Sequence, residues 1–509
     1  MTFSFARTPD AVLTQLQAWR AADAPTSGGQ VLAYVFDTGL PQLDELVRQA
    51  MVAMTPVSGL DPATFPSFAE LERALVGFTR ELLHGDDDVV GTATTGGTES
   101  SLLAVKAARD LWQECHQGVG RPRMVLPTTA HGTFRKAADY FDLELDLVPC
   151  QADGSVDPAA VGRRLDDGVA IVITSAPSYP FGVIDPVAEI AAQAYERGIA
   201  CHVDACMGGL TLPFWPGVDE LPVWDFRLPG VTSVVADYHK FGYAPKGVSV
   251  LLQRGRQRQR RQFYVCADWA GYPLTNPAMV NSRSGLALAA AWAVSQALGR
   301  AGFVTLTESV AEASAVLRRA LKAIDGLTVF GSSIGPMIAA ATDLAAPPER
   351  QVDPHLWADA LRQLGWVVQS QPGLTQANGV NLPTTAHLTV TPVTQSRLPE
   401  LEPALIQAAD LVRGVPPVDG SLIADHLVAA GLLDPMFIQP PNSTTDQSLP
   451  RLDPDTAWAI VQALNQQPDD SASTVSSSAQ TRLLALAKVV ALPVTEALMI
   501  EKMGRPVEP

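Results

Sequence analysis

Between about residue 85 and residue 300 the sequence alternates short apolar runs with longer segments of helical periodicity. The segment from Val169 to Thr174, VAIVIT, is a continuous apolar run that ends in a threonine, which is typical of a strand buried on both faces. A helix is predicted to follow, with Asp185 as its N-cap, Pro186 at its first position and Gly198 at its end. Repeated alternation of this kind predicts a mainly parallel sheet with helices on both of its faces.

The chain of 509 residues is long enough for two or three domains. We predict an N-terminal arm at residues 1–60, a large domain at 61–302, a smaller α+β domain at 303–414 and a C-terminal extension at 415–509. Within the extension, the serine-rich residues 466–480 are predicted to form a flexible linker. A final apolar helix is expected from about Leu483 to Met503.

Composition and charge narrow the class of partner. The formal net charge of -17 argues against nucleic acid or an anionic membrane as a general partner. The basic run Arg254–Arg261 is interpreted as a solvated segment at the rim of the fold, and a binding patch is the less favoured alternative. The five cysteines include no CxxC pair, so neither a disulfide framework nor a metal site is predicted. Because no apolar run reaches the roughly 18 residues of a membrane span and the N-terminus has no signal pattern, a soluble protein of the cytoplasm is expected.

The stretch Ser233–Gly247, SVVADYHKFGYAPKG, holds the strongest chemical candidate. A predicted strand leads into His239 and Lys240, and glycine and proline then break the chain. A lysine amine that is desolvated and fixed in orientation is suited to hold pyridoxal phosphate as a Schiff base. A surface lysine that follows a strand is the alternative, and three further features weigh against it.

The first feature is the turn Thr94–Ser100, TTGGTES, between a predicted strand and a predicted helix. Its glycines, Gly96 and Gly97, let the backbone approach a phosphate, and the helix N-terminus offers free N–H groups. The hydroxyl of Thr98 adds a donor. Taken alone, a plain tight turn is the better interpretation, and Glu99 is interpreted as an ordinary acidic residue in the first turn of a helix.

The other two features are Asp204 in CHVDACMGG and His131 in TTAHGTFRKAA. A carboxylate buried at a strand end needs a cationic partner, which a protonated pyridine nitrogen supplies; a helix cap or salt bridge is the alternative for Asp204. An imidazole at a strand-to-helix junction is able to stack on a cofactor ring and to assist proton transfer, although a lone histidine is more often structural. All these features fall at strand ends, where open α/β sheets bind ligands.

Several motifs occur together and in order: GTATTGGTESSLLAVKAARD, TAHGTFRKAADYF, SAPSYPFGVIDP, HVDACMGG, FRLPGVTSVVADYHKFGYAPKGVSVLL and NSRSG. Over about residues 30–410 the chain resembles the pyridoxal-phosphate enzymes of the sphingosine phosphate lyase group, which are relatives of the group II amino-acid decarboxylases. The resemblance implies the aspartate aminotransferase fold (fold type I), with a large, mainly parallel seven-stranded sheet domain and a smaller C-terminal domain. It also implies pyridoxal 5'-phosphate as cofactor and a homodimer with shared active sites.

The resemblance assigns roles residue by residue. Lys240 is implied to be the Schiff-base lysine, Asp204 the partner of the pyridine nitrogen and His131 the residue stacked on the ring. The residues implied to contact the cofactor are Gly96, Gly97, Thr98, His131, Ser175, Asp204, His239, Lys240 and Ser282.

Three further assignments concern the substrate and the partner subunit. Ser282 and Tyr179 are implied to reach across from the partner, and Lys246 matches a second lysine of the family that lies near the substrate. The lyases of eukaryotes carry a membrane anchor, which this sequence lacks, so a soluble, bacterial-type member of the group is expected.

Two departures from the family concern the end of the site that holds the substrate phosphate. Where the lyases have a motif like NPLHPDxFP, this chain has SGLDPATFP, so that Asp61 replaces the histidine and Ser58 the asparagine. Phe36 stands in place of an upstream tyrosine. Because an aspartate repels a phosphate and the lost groups were donors, an altered substrate is expected. Asp61 is hypothesised to receive a cationic group of that substrate.

The resemblance implies a carbon–carbon lyase that acts on an amino substrate through an external aldimine, most like the retro-aldol cleavage of sphingosine phosphate lyase. The segments FRLPGVTS and HKFGYAPKG favour this interpretation. An amino-acid decarboxylase is the main alternative, and a non-catalytic protein that keeps the cofactor fold is a weaker one. An aminotransferase would need an arginine for the substrate carboxylate, for which Arg283 is the candidate by residue type.

Overall fold

The computed structural model describes residues 5–118, 120–331, 334–439, 450–466 and 476–508. At its centre lies a seven-stranded sheet in the order β1-β7-β6-β5-β4-β2-β3. The strands are β1 (Val89–Thr94), β2 (Arg123–Pro127), β3 (Glu144–Val148), β4 (Val169–Ser175), β5 (Ala200–Asp204), β6 (Ser233–Ala236) and β7 (Ser249–Arg254). Strands β2 to β6 pair in parallel, which confirms the predicted mainly parallel sheet.

Helices cover both faces of this sheet, because parallel neighbours need crossover connections. Every residue of β4 and of β6 is buried, as expected of strands covered on both sides. The helices of this part of the chain are α1 (Pro9–Arg20), α2 (Pro41–Ala53), α3 (Pro66–Leu82), α4 (Gly97–Cys115), α5 (Thr133–Phe141), α6 (Pro158–Gly162), α7 (Val187–Glu196) and α8 (Arg256–Arg260).

Strand β7 runs antiparallel between β6 and β1. Residues 237–248 connect β6 to β7, and the register pairs Ala236 with Val250. The connection therefore projects from the edge of the sheet at which the parallel strands end. This edge is where open α/β sheets bind ligands, and Lys240 lies in the connection.

The element α9 (Gly285–Ala323) consists of two consecutive helices that meet at a kink, and it connects the two sheets. It is broken at Gly299, whose φ of 52° and ψ of -174° are not helical. Glycine adopts this conformation at little cost, so one residue redirects the helix without a loop. The predicted domain boundary at residue 302 falls just after this break.

The second sheet has four antiparallel strands in the order β10-β11-β15-β12, and it confirms the smaller α+β domain. The N-terminal arm adds to it, because the Leu32 N–H donates to the Val367 carbonyl at 2.8 Å and the Thr389 N–H donates to the Leu32 carbonyl at 2.7 Å. The elements here and in two small hairpins are β8 (Tyr264–Cys266), β9 (Leu274–Asn276), β10 (Leu327–Val329), β11 (Met337–Thr342), α10 (Pro354–Gln363), β12 (Gln369–Gln371), β13 (Leu374–Thr375), β14 (Asn381–Leu382), β15 (Thr385–Thr389) and α11 (Thr394–Val412).

The C-terminal extension folds into helices around a small apolar core of its own. These helices are α12 (Gly420–Ala429), α13 (Pro454–Gln466), α14 (Ala479–Leu486) and α15 (Leu492–Gly504). The helix expected from Leu483 to Met503 is therefore two helices, because the chain turns before Leu492 and Pro493 begin the second one. Of the predicted linker, residues 467–475 lie outside the described residues, and its two ends belong to α13 and α14. Among the helices described, none has the length and apolar character that crossing a membrane requires.

Candidate active site

A cavity of about 360 Å³ lies at the edge where the parallel strands end. Strands β1, β4, β5 and β6 each deliver residues to it from the segment that follows the strand, because parallel strands end at the same edge. The predicted site residues that line it are Gly96, Gly97, Thr98, His131, Tyr179, Asp204, His239 and Lys240. One cavity thus gathers residues from five separate sequence motifs.

Lys240 is held in this cavity by a buried carboxylate that the sequence analysis did not single out. The Nζ atom of Lys240 lies 3.0 Å from Oδ2 of Asp237, whose side chain is 2% exposed. The hydroxyl of Ser249 donates to Oδ1 of Asp237 at 2.5 Å, and Nε2 of His239 lies 3.5 Å from Oδ2. Asp237 is therefore satisfied from several directions and fixes the position of the lysine.

Charges around Asp237 and Lys240 set the pKa of both groups. Burial by itself raises the pKa of Asp237, but the charges of Lys240 and His239 outweigh burial and hold that pKa below its ordinary value. Burial lowers the pKa of Lys240, but Asp237, Cys206 and Asp204 together raise it above the ordinary lysine value. The partly buried lysine is thus held as an ammonium by the carboxylates around it, against the effect of burial.

The turn before α4 is shaped by Gly97. A Cβ atom at this position would lie 2.5 Å from Sγ of Cys206 and 2.9 Å from both carboxylate oxygens of Asp237. At Gly96, whose φ of 160° is extended backbone, a Cβ atom would meet only Cε1 of His239, at 3.5 Å. The absence of a side chain at Gly97 therefore lets the turn lie against the floor of the cavity, with the N-terminus of α4 open towards it.

Glu99 does more than complement a helix dipole. It is 6% exposed, and its Oε2 accepts the N–H of Thr95 at 2.5 Å and the hydroxyl of Thr95 at 2.8 Å. Its Oε1 accepts the N–H of Met279 at 2.6 Å. Glu99 thus fixes the glycine turn to the segment that carries Ser282, a contact between residues 180 positions apart in sequence.

Asp204 ends β5 beside Ser175, the last residue of β4. Its Oδ1 accepts the N–H of Cys206 at 3.1 Å, and its side chain borders the cavity. Ser175 is buried and lies beside Asp204, but it is not among the residues that line the cavity. A carboxylate at this strand end is placed to face a cationic ring atom in the cavity.

Asp185 was predicted to be the N-cap of α7, and this prediction is wrong. The cap position is occupied by Pro186, without a side-chain hydrogen bond. Instead, Oδ2 of Asp185 accepts the N–H of Ser175 at 2.7 Å, while its Oδ1 is buried without a hydrogen-bond partner. Burial raises the pKa of Asp185 to about 7, and the nearby charge of Asp204 adds to this rise.

His131 and Tyr179 form another part of the cavity wall. Nδ1 of His131 accepts the N–H of Thr133 at 3.2 Å, so the neutral imidazole carries its proton on Nε2. The rings of His131 and Tyr179 meet edge to face at 6.3 Å. Tyr179 was expected to reach the site from the partner subunit, and the structure corrects this expectation, because Tyr179 lines the cavity of its own chain.

The residues predicted at the substrate phosphate do not line this cavity. Ser58 pairs with Ser284 in an isolated bridge, and the Gly59 N–H donates to the Arg283 carbonyl at 2.8 Å. Ser58 therefore lies against the segment that follows Ser282, and neither Ser58 nor Ser282 lines the cavity that holds Lys240.

Asp61, Phe36 and Lys246 have local partners. The carboxylate of Asp61 accepts the N–H of Ala63 at 2.9 Å and the hydroxyl of Thr64 at 2.6 Å. Its role towards a cationic substrate group stays a prediction. The Nζ atom of Lys246 lies 4.7 Å from the centre of the Phe36 ring and donates to the His239 carbonyl at 3.3 Å.

Arg283, the candidate for binding a substrate carboxylate, is already occupied. It is 8% exposed and forms a bidentate ion pair with Glu72, at 2.8 and 3.2 Å. It also donates to the Ala93 carbonyl at 2.8 Å. This arginine supports the structure around β1 and is not available to a substrate, which weighs against an aminotransferase.

Comparison with known proteins connects this geometry to a family. The model of the pyridoxal-dependent decarboxylase conserved domain matches residues 37–330. Sphingosine-1-phosphate lyase 1 of Mus musculus is 38% identical over 322 residues, which are 63% of this chain and 56% of the mouse protein. Sphingosine-1-phosphate lyase of Arabidopsis thaliana is 32% identical over 400 residues, which are 76% of this chain and 70% of the plant protein. The chain thus spans little more than half the length of the mouse relative.

Solved structures agree with these sequence matches. The Burkholderia pseudomallei sphingosine-1-phosphate lyase superposes with a TM-score of 0.73 at 30% identity, over 85% of this chain and 96% of that chain. The likeness confirms the aspartate aminotransferase fold expected from the sequence.

Proposed function

Because the chain belongs to the pyridoxal-dependent decarboxylase family, as a member of its sphingosine-1-phosphate lyase branch, we propose that it is a lyase that cleaves a carbon–carbon bond beside the amine carbon of its substrate. The observation that carries this proposal is the convergence of Lys240, Asp204 and His131 on one cavity at the strand ends. These three residue types are what amine chemistry on a pyridine cofactor needs.

The cofactor of this family is pyridoxal phosphate, and the cavity fits it. The cradle that a Cβ atom at Gly97 would fill and the open N-terminus of α4 suit its phosphate. Asp204 would face the ring nitrogen, His131 would lie against the ring, and Lys240 would form the covalent bond. When bound, pyridoxal phosphate is an electron sink for the bond that breaks at the amine carbon.

The chain's own residues would divide the remaining work. Asp204 would hold the proton on the ring nitrogen, because an ionised carboxylate stabilises a neighbouring cation. Lys240 would move protons at the amine carbon once the substrate amine has displaced it. Asp237 would steady the lysine while it is free, and Nε2 of His131 would donate a hydrogen bond within the cavity.

The second candidate reaction releases carbon dioxide from the substrate instead of an aldehyde. It is favoured because the family that matches residues 37–330 is that of the pyridoxal-dependent decarboxylases. An amino-acid substrate brings a carboxylate, which an arginine binds best. Among the described residues that line the cavity, the cationic types are Lys240, His131 and His239, and none is an arginine. This lining supports an amine without a carboxylate on its reacting carbon, and therefore carbon–carbon cleavage.

We further propose that two copies of the chain share their active sites. Ser282 lies outside the cavity of its own chain, and exposed large apolar side chains surround it in sequence. These side chains are Tyr264, Val265, Trp269, Tyr272, Met279 and Val280. Exposed apolar surface of this extent supports a protein partner, and a second copy would bring Ser282 to the neighbouring cavity.

We further propose that the protein works in the cytoplasm. All five cysteines are free thiols in the structure, and unpaired thiols are typical of a reducing compartment.

Product analysis tests the reaction. The purified protein, loaded with pyridoxal phosphate, is offered amino acids and amino alcohols with and without phosphate, and aldehyde and carbon dioxide are assayed together. Aldehyde without carbon dioxide is the expected result, and Lys240→Ala should abolish it. Carbon dioxide without aldehyde would establish the decarboxylase. Neither product from any amine would contradict both reactions.

A further inference from the structure

A second cavity, of about 270 Å³, lies where three distant parts of the chain meet. The N-terminal arm contributes Tyr34, the segment from α10 to β12 contributes Arg362 and Gln369, and the C-terminal extension contributes Ser478 and Gln480. Its lining is mainly polar in residue type. A cavity assembled from three parts of the chain, one of which has no role in the catalytic cavity, needs a functional explanation.

This cavity shares a wall with the catalytic one. Tyr179 lines the catalytic cavity, and its hydroxyl donates to Oε1 of Gln369, in the second cavity, at 2.5 Å. Burial raises the pKa of Tyr179 to about 12, and both Tyr34 on one side and Lys240 on the other influence that pKa. Tyr179 and Gln369 therefore stand between the reactive lysine and the second cavity.

Arg362 brings a positive charge to the second cavity, whose lining also includes the carboxylate of Asp359. It is exposed, and its guanidinium forms no ion pair or hydrogen bond with any residue of the described ranges. Asp359, one turn earlier on α10, is buried, and it accepts the Ser478 N–H at 2.8 Å and the Thr481 hydroxyl at 2.7 Å. That carboxylate holds the extension in place, so the charge open to a ligand is that of Arg362.

Two more groups favour an anion there. Lys502 of α15 donates a hydrogen bond to the side-chain oxygen of Gln480, which places another cation behind the cavity wall. Burial raises the pKa of Tyr34 above its ordinary value, and the charge of Arg362 only partly offsets this rise. Tyr34 is therefore a neutral hydroxyl donor beside the guanidinium.

The segment that the family resemblance assigns to the substrate phosphate lacks groups suited to bind an anion. Phe36 lacks a hydroxyl, and Asp61 brings a negative charge where the related lyases have a histidine. An anionic group on the substrate is therefore better accommodated beside Arg362 than beside Asp61.

We propose that the second cavity is a subsite for an anionic end group, a carboxylate or a phosphate, on the substrate amine, with Arg362 as its binding cation. This inference rests on the proposed function, because the amine of the same molecule must reach Lys240. Residues Ser478 and Gln480 form the outer wall of the subsite, which gives the C-terminal extension a part in substrate selection.

The experiment uses the protein loaded with pyridoxal phosphate and three matched series of probes: alkylamines, ω-amino acids and aminoalkyl phosphates of equal chain length. Binding is measured from the change in visible absorption of the cofactor. At the best chain length, an anionic amine should bind at least about tenfold more tightly than the alkylamine, a difference of about 1.4 kcal/mol. Arg362→Gln should remove this difference, and Arg362→Glu should reverse it.

Arg319→Gln is the matched control, since Arg319 is an exposed arginine on α9 outside both cavities; this variant should keep the wild-type preference. Tighter binding of phosphates than of carboxylates, or the reverse, identifies the anion. If wild-type protein binds all three series equally, or if Arg362→Gln keeps the preference, the subsite is refuted while the proposed function stands. If no amine changes the cofactor spectrum although the cofactor is bound, the proposed function fails, and the subsite fails with it.

Discussion

The buried carboxylate of Asp237 decides in which protonation state Lys240 meets its cofactor. With Asp237 ionised, the pKa of Lys240 is raised, and Asp204 and Cys206 act in the same direction. Covalent capture of an aldehyde needs the neutral amine. Asp237 therefore fixes the position of Lys240, and at the same time it slows the reaction of the lysine amine with the cofactor aldehyde.

The variant Asp237→Asn should lower the pKa of Lys240, because burial then outweighs the remaining charges. The rate at which the protein captures added pyridoxal phosphate is followed by absorbance. In the variant this rate should begin to rise at a pH about one unit or more below that of wild type. Ser249→Ala, which removes a hydrogen bond to Asp237 and no charge, should shift the profile much less. Identical profiles for Asp237→Asn and wild type would contradict this account.

Asp185 gives the protein a stability that depends on pH. Its pKa is raised to about 7 in the folded chain from 3.8, so between these values the folded state binds a proton that the unfolded state does not. The free energy of unfolding should therefore fall as pH rises from about 4 to about 7, by an amount on the order of a few kcal/mol at most. Asp185→Asn should flatten this decline, since the amide oxygen still accepts the Ser175 N–H.

Urea midpoints measured at about pH 5 and about pH 7.5 check this prediction, because the difference between them reports the proton uptake. A variant whose midpoints fall with pH as steeply as those of wild type would show that Asp185 is not the group responsible.

Residue types at strand ends were enough to predict that Lys240, Asp204 and His131 belong together, and the structure brings them to one cavity. The contributions of Asp237, Glu99 and Gln369 were not predictable in this way. Glu99 acts through Met279, 180 positions away, and Gln369 acts through Tyr179, 190 positions away. Such contacts depend on tertiary packing, which local sequence patterns do not encode.

At the scale of elements, the turn before α4 contains two adjacent glycines that differ in the space available for a side chain. Gly97→Ala places a methyl group 2.5 Å from Sγ of Cys206, so the turn must shift away from the cavity floor. Overpacking of this kind costs roughly 1–3 kcal/mol, and affinity for pyridoxal phosphate should fall about tenfold to a hundredfold. Gly96→Ala is the matched control and should fold and bind with much smaller losses, because its nearest contact is at 3.5 Å.

Fluorescence titration with pyridoxal phosphate, together with circular dichroism to confirm folding, separates the two variants. Equal losses at Gly96 and Gly97 would show that the close approach to Cys206 does not set the shape of the cradle.

Periodicity predicted well which segments are strands and which are helices. It did not predict how consecutive elements are connected. The apolar run ending at Thr174 predicted a buried strand, and β4 is buried throughout. A glycine inside an apolar helix usually marks an end, and the two helices of α9 do meet at Gly299. By contrast, Asp185 has the residue type of a cap, and only the proximity of β4 gives its carboxylate a different partner.

For the molecule as a whole, the alternation of strands and helices was sufficient to predict the large sheet and the smaller α+β domain. The C-terminal extension was not predictable beyond its helical periodicity, because its position depends on single contacts such as that of Asp359 with Ser478. The proposed sharing of active sites between two copies of the chain is also a property of the dimer and not of one chain. Ser282 and Ser58 do not line the cavity that holds Lys240, so one chain does not bring all the predicted residues to a single cavity.

A shared active site makes a quantitative prediction for mixed dimers. Lys240→Ala and Ser282→Ala should each be inactive as homodimers, because every site lacks one residue. In a heterodimer of the two, one site has an intact Lys240 from one chain and an intact Ser282 from the other. A heterodimer purified through both tags has one functional site in two, so about half of the wild-type product formation per dimer should return.

The matched control combines Lys240→Ala with Asp204→Asn, two residues that line the cavity of the same chain. Each site of that heterodimer contains one defect, so no activity should return, although the chains assemble equally well. The measurement is product formation after coexpression of two differently tagged chains and purification through both tags in succession. Recovery with Ser282→Ala and none with Asp204→Asn would place Ser282 in the neighbouring subunit's site, because both pairs contain the same Lys240→Ala chain and differ only in where the second defect lies. Failure to recover with Ser282→Ala would mean that each cavity is complete within its own chain, and that the exposed apolar side chains near residue 270 serve another contact.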